Sequence, residues 1–192
     1  MNINTLIELH ELACEDAGRY ARRRSLYAAV HERAGAHFRG IVGPRGTGKT
    51  ILLKQLACGE ESSFYLSVDT LPRDEDLFEV IRRLQRDYGY RRFLLDEIHF
   101  HPGVDKALKK LYDFLDIEVI FTSSVALAVH NSAYDLSRRV LMSHLHPFSF
   151  REYLLFRHGT NLDRLTPEAI LGRQWTADHM RAGVHFDEYL SG

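Results

Sequence analysis

The chain has 192 residues and a formal net charge of −1, from 25 basic and 26 acidic side chains. That length suits one domain, or one with an appendage, and near-neutrality excludes a histone-like polycation and gives no global drive toward nucleic acid. With 45% hydrophobic and 27% charged residues the chain is not of disordered type, and Cys14 and Cys58, far apart and in no metal-type spacing, mark no disulfide scaffold and fit a reducing compartment.

Residues 2–34 read as helical, with Leu6, Leu9, Leu12 and Ala13 on one stripe, Leu26 and Val30 on a later one, and Gly18 as a break. Arg19, Arg22, Arg23 and Arg24 form a basic cluster at helical spacing, either a solvated face or a docking point for DNA, a further domain or the nucleotide base. His37 to Val42 is strand-like, and a helix is expected from near Gly48 through Ile51, Leu52, Leu53 and Leu56 to Gly59. Phe64 to Asp69 reads as a second strand. Leu71 to Tyr88 reads as a helix, with Leu77, Val80, Ile81 and Leu84 on one face and Gly89 ending it. Phe93 to Asp96 is a buried strand, Val104 to Leu115 a helix, Glu118 to Phe121 a strand, and Val125 to Val129 a short helix. Val140 to Met142 makes a fifth strand. Ser149 to Phe156 makes a helix with Ser149 and Glu152 at capping-box spacing, and residues 166–190 look helical but less regular.

Strand and helix alternate over five strands. The strands are short continuous apolar runs, which predicts a parallel sheet covered on both faces with right-handed crossovers. The N-terminus lacks a positive region, and Glu8 and Glu11 interrupt its apolar residues, unlike a signal peptide. No run approaches the ~20 apolar residues of a membrane helix. A cytoplasmic protein with no membrane partner is expected.

Gly43-Pro44-Arg45-Gly46-Thr47-Gly48-Lys49-Thr50 matches G-x-x-x-x-G-K-[ST] in full, between a strand and an amphipathic helix. Glycines let the backbone approach a ligand closely, and the loop amides with the helix N-terminus behind them form an anion nest. The expected phosphate-binding residues run from Gly43 to Ile51. Lys49 is expected to reach the β- and γ-phosphates and the Thr50 hydroxyl to hold Mg²⁺.

Phe93-Leu94-Leu95-Asp96-Glu97 is a buried strand ending in two acids. The C-terminal end of a parallel strand opens into the crevice where ligands bind. Asp96 suits the Mg²⁺ role and Glu97 the base that orients and deprotonates a water. The following strand ends in Thr122-Ser123-Ser124. If it lies between the phosphate-loop strand and the acidic strand, a hydroxyl of Thr122 or Ser124 faces the γ-phosphate and can position water. Capping of the next helix is the plainer use of those residues.

Together the phosphate loop, Leu-Leu-Asp-Glu-Ile, Thr-x-Ser and Pro147-Phe148-Ser149-Phe150-Arg151-Glu152-Tyr153-Leu154 resemble the AAA+-like P-loop ATPases of archaea and bacteria. The resemblance covers residues 20–158, and in that family a C-terminal domain of unknown function follows the core. It implies a three-layer α/β/α P-loop NTPase with a five-stranded parallel sheet in the order 5-1-4-3-2, with ATP and Mg²⁺ held by Lys49, Thr50, Asp96 and Glu97. Where the family shows Thr-Gly-Ser, this chain has Ser123 for the glycine. Where the family shows Gly-Arg before the fifth strand, it has Arg138-Arg139. Arg139 is therefore a candidate γ-phosphate contact, in cis or from a neighbouring chain through self-association, with a surface salt bridge as the plainer reading. The end of the chain, Phe186 to Gly192, resembles the start of the family's Tyr-Leu-x-x-Gly-Gly segment, so a truncated chain or a short relative is expected.

The domain expectation is an N-terminal helical segment over 1–36, the ATPase core over 37–158 and a C-terminal helical segment over 159–192. The alternating pairs His99/His101 and His144/His146 read as surface or crevice histidines ahead of a zinc site. Trp175 is expected to pack the C-terminal helices on the core. The function expected is Mg²⁺-dependent ATP hydrolysis that drives change in a C-terminal domain or protein partner, with nucleic acid supported only by the arginine cluster. The alternatives are a nucleotide-gated switch without turnover and a small nucleotide-kinase type phosphotransferase.

Overall fold

Strand β3 (Arg92–Asp96) displays the logic of the sheet: Phe93 and Leu95 turn to one face, Leu94 turns to the other, and all three are fully buried. A strand with no solvent face must be covered on both sides. The computed structural model describes residues 2–32, 35, 37–124 and 136–191, so the helix expected over Val125–Val129 lies outside the described residues. Strands β1 (Phe38–Val42), β2 (Ser63–Ser67), β3, β4 (Glu118–Ser123) and β5 (Val140–His144) form one parallel sheet in the order β2-β3-β4-β1-β5, the expected order read from the other edge.

Each face has its own core. Helices α4 (Leu77–Tyr88) and α5 (Val104–Phe114) lay Leu77, Val80, Ile81, Leu84, Leu108 and Leu111 against Phe64, Phe93, Val119 and Phe121. On the other face, α1 (Ile3–Ala17), α2 (Leu26–His31) and α3 (Lys49–Ala57) bring Ala13, Tyr27, Val30, Leu52, Leu53 and Leu56 onto Ile41, Leu94 and Ile120. Each fully buried aliphatic or aromatic side chain contributes roughly 1.5–3 kcal/mol by leaving water. The result is the three-layer α/β/α P-loop NTPase architecture.

Several local expectations are corrected. Helix α4 begins at Leu77, six residues later than expected, because the Asp76 side chain accepts from Phe78 N at 2.9 Å and Pro72 disfavours helical geometry at Leu71. Residues 20–24 are not helical. Their carbonyls are drawn to α3, where Gln55 Nε2 donates to Tyr20 O at 2.7 Å and to Arg22 O at 3.0 Å. The arginine cluster is therefore not a helical face. Cys14 on α1 and Cys58 just after α3 are joined as a disulfide, against the expectation of two separate cysteines. Leu9 and Leu12 of the α1 stripe are exposed while Leu6 and Ala13 are buried.

The described chain divides between His146 and Pro147 into two compact units. Residues 2–32 thus belong to the first unit, and the Pro147–Leu154 stretch belongs with the C-terminal helices, whereas boundaries at 36 and 158 were expected. In the second unit the expected capping box opens α6 (Phe150–Tyr153): Ser149 Oγ accepts from Glu152 N, and Ser149 N donates to the Glu152 carboxylate. A π-helical turn (Leu154–His158), α7 (Pro167–Leu171), α8 (Ala177–Ala182) and α9 (Phe186–Ser191) follow. Leu154, Leu162 and Ala182 form a small core with Phe150 and Tyr153. Trp175 is 41% exposed and is not in that core, contrary to expectation.

Candidate active site

The chain leaves β1 at Val42 and turns through the glycine loop into α3. Gly43 has no alternative, because a Cβ there would overlap the carbonyl oxygen of Leu145. Gly48 sits at φ 87° directly before α3, a left-handed conformation that side-chain-bearing residues rarely adopt. Thr47 Oγ1 donates to Pro44 O at 2.9 Å, which tightens the loop. Lys49 is buried, and its ammonium donates to Gly43 O at 2.8 Å and Pro44 O at 2.9 Å. That places the cation inside the loop's own curve, where a phosphate oxygen can exchange with the carbonyls.

The loop has an external brace that the sequence did not disclose. Arg24, buried before α2, donates through Nη1 to Thr47 O and through Nη2 to His146 O at 2.7 Å. One guanidinium thus ties the phosphate loop to the segment leaving β5. Of the four clustered arginines, Arg23 instead stacks over the Tyr27 ring at 4.2 Å, and Arg19 is exposed beside Asp16.

Strand β4 does lie between β1 and β3, so its polar end falls between the phosphate loop and the acids. Thr122 Oγ1 is fully buried, donates to Asp96 Oδ1 and accepts from Glu97 N at 2.9 Å. Asp96 Oδ2 accepts from Tyr65 Oη on β2 at 2.9 Å. Burial, and then the neighbouring Asp96, push the Tyr65 hydroxyl's pKa far above its ordinary value, so it stays a donor. Glu97 adopts φ 51°, a left-handed backbone that non-glycine residues hold only when their surroundings impose it. Ser124 Oγ donates to Glu97 Oε1 at 2.7 Å, and His99 Nδ1 lies 3.2 Å from Glu97 Oε2 and 3.3 Å from Ser123 Oγ.

The glycine loop, the start of α3 and Glu97 border one open cleft of about 500 Å³, lined by Arg45, Gly46, Gly48, Lys49, Thr50, Ile51, Asp69, Glu97 and Phe100. That volume is in the range of small-molecule sites. Asp69 and Phe100 were not singled out from the sequence. They follow β2 and β3, and only the parallel topology shows that those two strand ends meet.

Arg139 stands elsewhere. It immediately precedes β5, its carbonyl accepts from Phe38 N at 2.9 Å, and its Nε donates to Asp113 at 3.1 Å. The phosphate loop leaves the far end of β1, about 13–16 Å along the strands. The expectation of a cis contact is corrected by this placement. Neither expected histidine pair joins a three-ligand cluster among the described residues; His101 Nε2 instead meets Glu75 O at 3.0 Å.

The AAA domain family model matches residues 37–154, more than half of the chain. The chain belongs to the AAA domain family. It is 35% identical over 144 residues to the uncharacterized protein MJ1637 of Methanocaldococcus jannaschii, a match covering 68% of this chain and 30% of that relative. The chain therefore spans about a third of that protein's length. The crystal structure of Pif1 helicase from Candida albicans is similar over 69% of this chain and 42% of that one, with a TM-score of 0.44 and 14% identity. No helix among the described residues of this AAA domain chain is long and apolar enough to cross a membrane.

Proposed function

We propose that the chain binds ATP with Mg²⁺ in the cleft between the phosphate loop and the acidic strand end, and hydrolyses it. The observation that carries this reading is that Lys49, Thr50 and Glu97 line one cleft, with Asp96 and the β4 hydroxyls directly behind it.

The donor set suits Mg²⁺. Thr50 offers a hydroxyl and Asp96 a carboxylate, both hard oxygen donors. Both Asp96 oxygens already accept hydrogen bonds, from Thr122 and Tyr65, which favours a water-mediated contact. When bound, the ion neutralises phosphate charge. The loop amides and Lys49 hold the β- and γ-phosphates. Glu97 orients a water for in-line attack and accepts its proton as the bond to the leaving ADP oxygen breaks, giving ADP and phosphate. A positioned base of this kind contributes typically 10²–10⁴ in rate. Thr122 fixes the turn from Asp96 to Glu97, and Ser124 sets the direction of the Glu97 carboxylate.

ATP is preferred over GTP in this reading because no Asn-Lys-x-Asp guanine-reading motif is present. The output is proposed to be a conformational change in a partner or C-terminal region. The second reading, a nucleotide-gated switch without turnover, draws on the Ser124–Glu97 bond, which restrains the base.

The test is Mg²⁺-ATP binding and turnover per chain over a wide range of protein concentration, with Glu97→Gln and Lys49→Ala. Turnover that vanishes in Glu97→Gln with ATP binding retained, and binding lost in Lys49→Ala, supports the ATPase. Binding without turnover at any concentration supports the switch. Absence of ATP binding in the unmodified chain overturns both.

A further inference from the structure

The second unit contains a constellation that nucleotide chemistry does not use. His158 ends the π-helical turn, held there by the left-handed Gly159 at φ 71°. His185 and Glu188 are three residues apart across the start of α9, so they share one helical face. The three side chains converge. His158 Nε2 lies 3.4 Å and His185 Nδ1 3.8 Å from the same Glu188 oxygen, Oε2, and all three ligand atoms lie within 4.8 Å of one another. The two imidazole rings stack with centroids 3.9 Å apart.

We propose that His158, His185 and Glu188 form a binding site for a Zn²⁺-class divalent cation. Zinc binds at about 2.0–2.2 Å to imidazole nitrogen and carboxylate oxygen. In a tetrahedron such bonds set ligand atoms roughly 3.3–3.5 Å apart, so the two nitrogen–oxygen separations need at most about half an ångström of adjustment, while the stacked imidazoles, whose ligand atoms lie within 4.8 Å of each other, must turn out of their stack to aim both nitrogens at one ion. Two nitrogens and one carboxylate oxygen form a donor set for a borderline metal such as Zn²⁺, Co²⁺ or Ni²⁺, and a poor one for Mg²⁺ or Ca²⁺. His185, at the end of the turn before α9, and Glu188, on α9, have the i, i+3 spacing of the Glu-x-x-His pairs that build metal sites in helix bundles, here in the reverse order and joined by a ligand from another element.

The surroundings agree. Arg157, the nearest competing cation, approaches the other carboxylate oxygen, Oε1, at 3.7 Å and is 70% exposed, so it leaves Oε2 facing the histidines. Exposed pairs of this kind hold weakly. Tyr153 Oη is buried beside Glu188 without an aligned hydrogen bond, in position to orient the carboxylate once it carries a metal. Three protein ligands leave a fourth position open to water or a partner's side chain. Occupancy clamps the π-turn to α9.

The test uses the whole chain, stripped with chelator and free of nucleotide. Zn²⁺ is titrated by calorimetry and Co²⁺ by visible absorption, with His158→Gln, His185→Ala, Glu188→Gln and Asp96→Asn compared. All three ligands are partly exposed side chains, and circular dichroism verifies that each variant is folded. The expected result is one ion per chain, an intense tetrahedral Co²⁺ band, and affinity lowered by more than about 100-fold in each triad variant, beyond the roughly 10–100-fold that loss of an outer-shell partner costs. Asp96→Asn should bind as the unmodified chain does. Binding only at millimolar Zn²⁺, binding indifferent to all three triad substitutions, or binding lost in Asp96→Asn and kept in the triad variants overturns the site.

Discussion

Tyr65 donates its phenolic hydrogen to Asp96 across neighbouring strands, at 2.9 Å and in a buried layer. It makes the carboxylate proposed for the Mg²⁺ position part of the sheet's internal polar network. Tyr65→Phe keeps the ring, which packs in the α3-side core, and removes only the donor. The expected outcome is a loss of about 1–3 kcal/mol of unfolding free energy, the cost of a buried acceptor left unsatisfied. It should also weaken the binding of Mg²⁺-ATP more than that of ATP alone. Urea unfolding and nucleotide titration with and without Mg²⁺ check both.

Arg24 is predicted to govern the phosphate loop from outside it. Its two carbonyl partners, Thr47 O and His146 O, are bridged by the two ends of one planar guanidinium. A lysine preserves the charge but cannot reproduce that fork. Arg24→Lys should therefore behave like Arg24→Ala, with ATP affinity down by about tenfold or more, equivalent to at least ~1.4 kcal/mol. An Arg24→Lys variant with full affinity would reduce the role of Arg24 to charge alone. Arg23, stacked on Tyr27 at 4.2 Å, is the control and should leave affinity unchanged.

The phosphate loop and the Asp96-Glu97 strand end were legible because each carries its chemistry in a contiguous run. The sheet order followed from family resemblance, and the burial of both strand faces followed from unbroken apolar runs such as Phe93-Leu94-Leu95. What was not legible depends on residues distant in sequence. Arg24 meets Thr47 and His146, residues 23 and 122 positions away, and nothing in a four-arginine cluster says which member turns inward. Tyr65 sits in an apolar strand and looks like any core aromatic. Residues 20–24 read as helix because helical spacing ignores a competing donor, here Gln55 on α3. One missed signal was available locally: Pro72 followed by Asp76 marks a helix start after Leu71.

His10 ties α1 to the edge strand of the sheet. Its Nδ1 accepts from Tyr65 N at 3.1 Å, and its ring stacks on Phe64 at 4.8 Å. Burial lowers its pKa below the ordinary histidine value, only partly offset by Glu11. The neutral ring is the form that accepts the hydrogen bond. A histidine whose folded pKa is depressed contributes stability that is complete above its unfolded pKa, near 6.5, and declines as pH falls below it. The expected outcome is that unfolding free energy drops between pH 7.5 and 5.5 more steeply in the unmodified chain than in His10→Gln, whose amide oxygen accepts without titrating. Equal slopes in the two proteins would show that His10 does not carry the pH dependence.

Arg139 separates the self-associating version of the mechanism from the simpler one. It lies at the opposite end of the sheet from the phosphate loop and is paired with Asp113 at 3.1 Å, beside the Tyr112 ring. As a partly exposed ion pair it is worth about 0–1 kcal/mol. Acting across chains, an arginine finger would contribute about 10³–10⁵ in turnover. The two roles therefore differ by orders of magnitude. We expect Arg139→Ala to lower stability slightly and to leave turnover per chain unchanged at every protein concentration. Turnover that rises with concentration in the unmodified chain and collapses in Arg139→Ala would instead assign the arginine to a neighbouring chain's cleft. In that case a mixture of Arg139→Ala with Glu97→Gln would restore activity, because each variant then supplies the group that the other lacks.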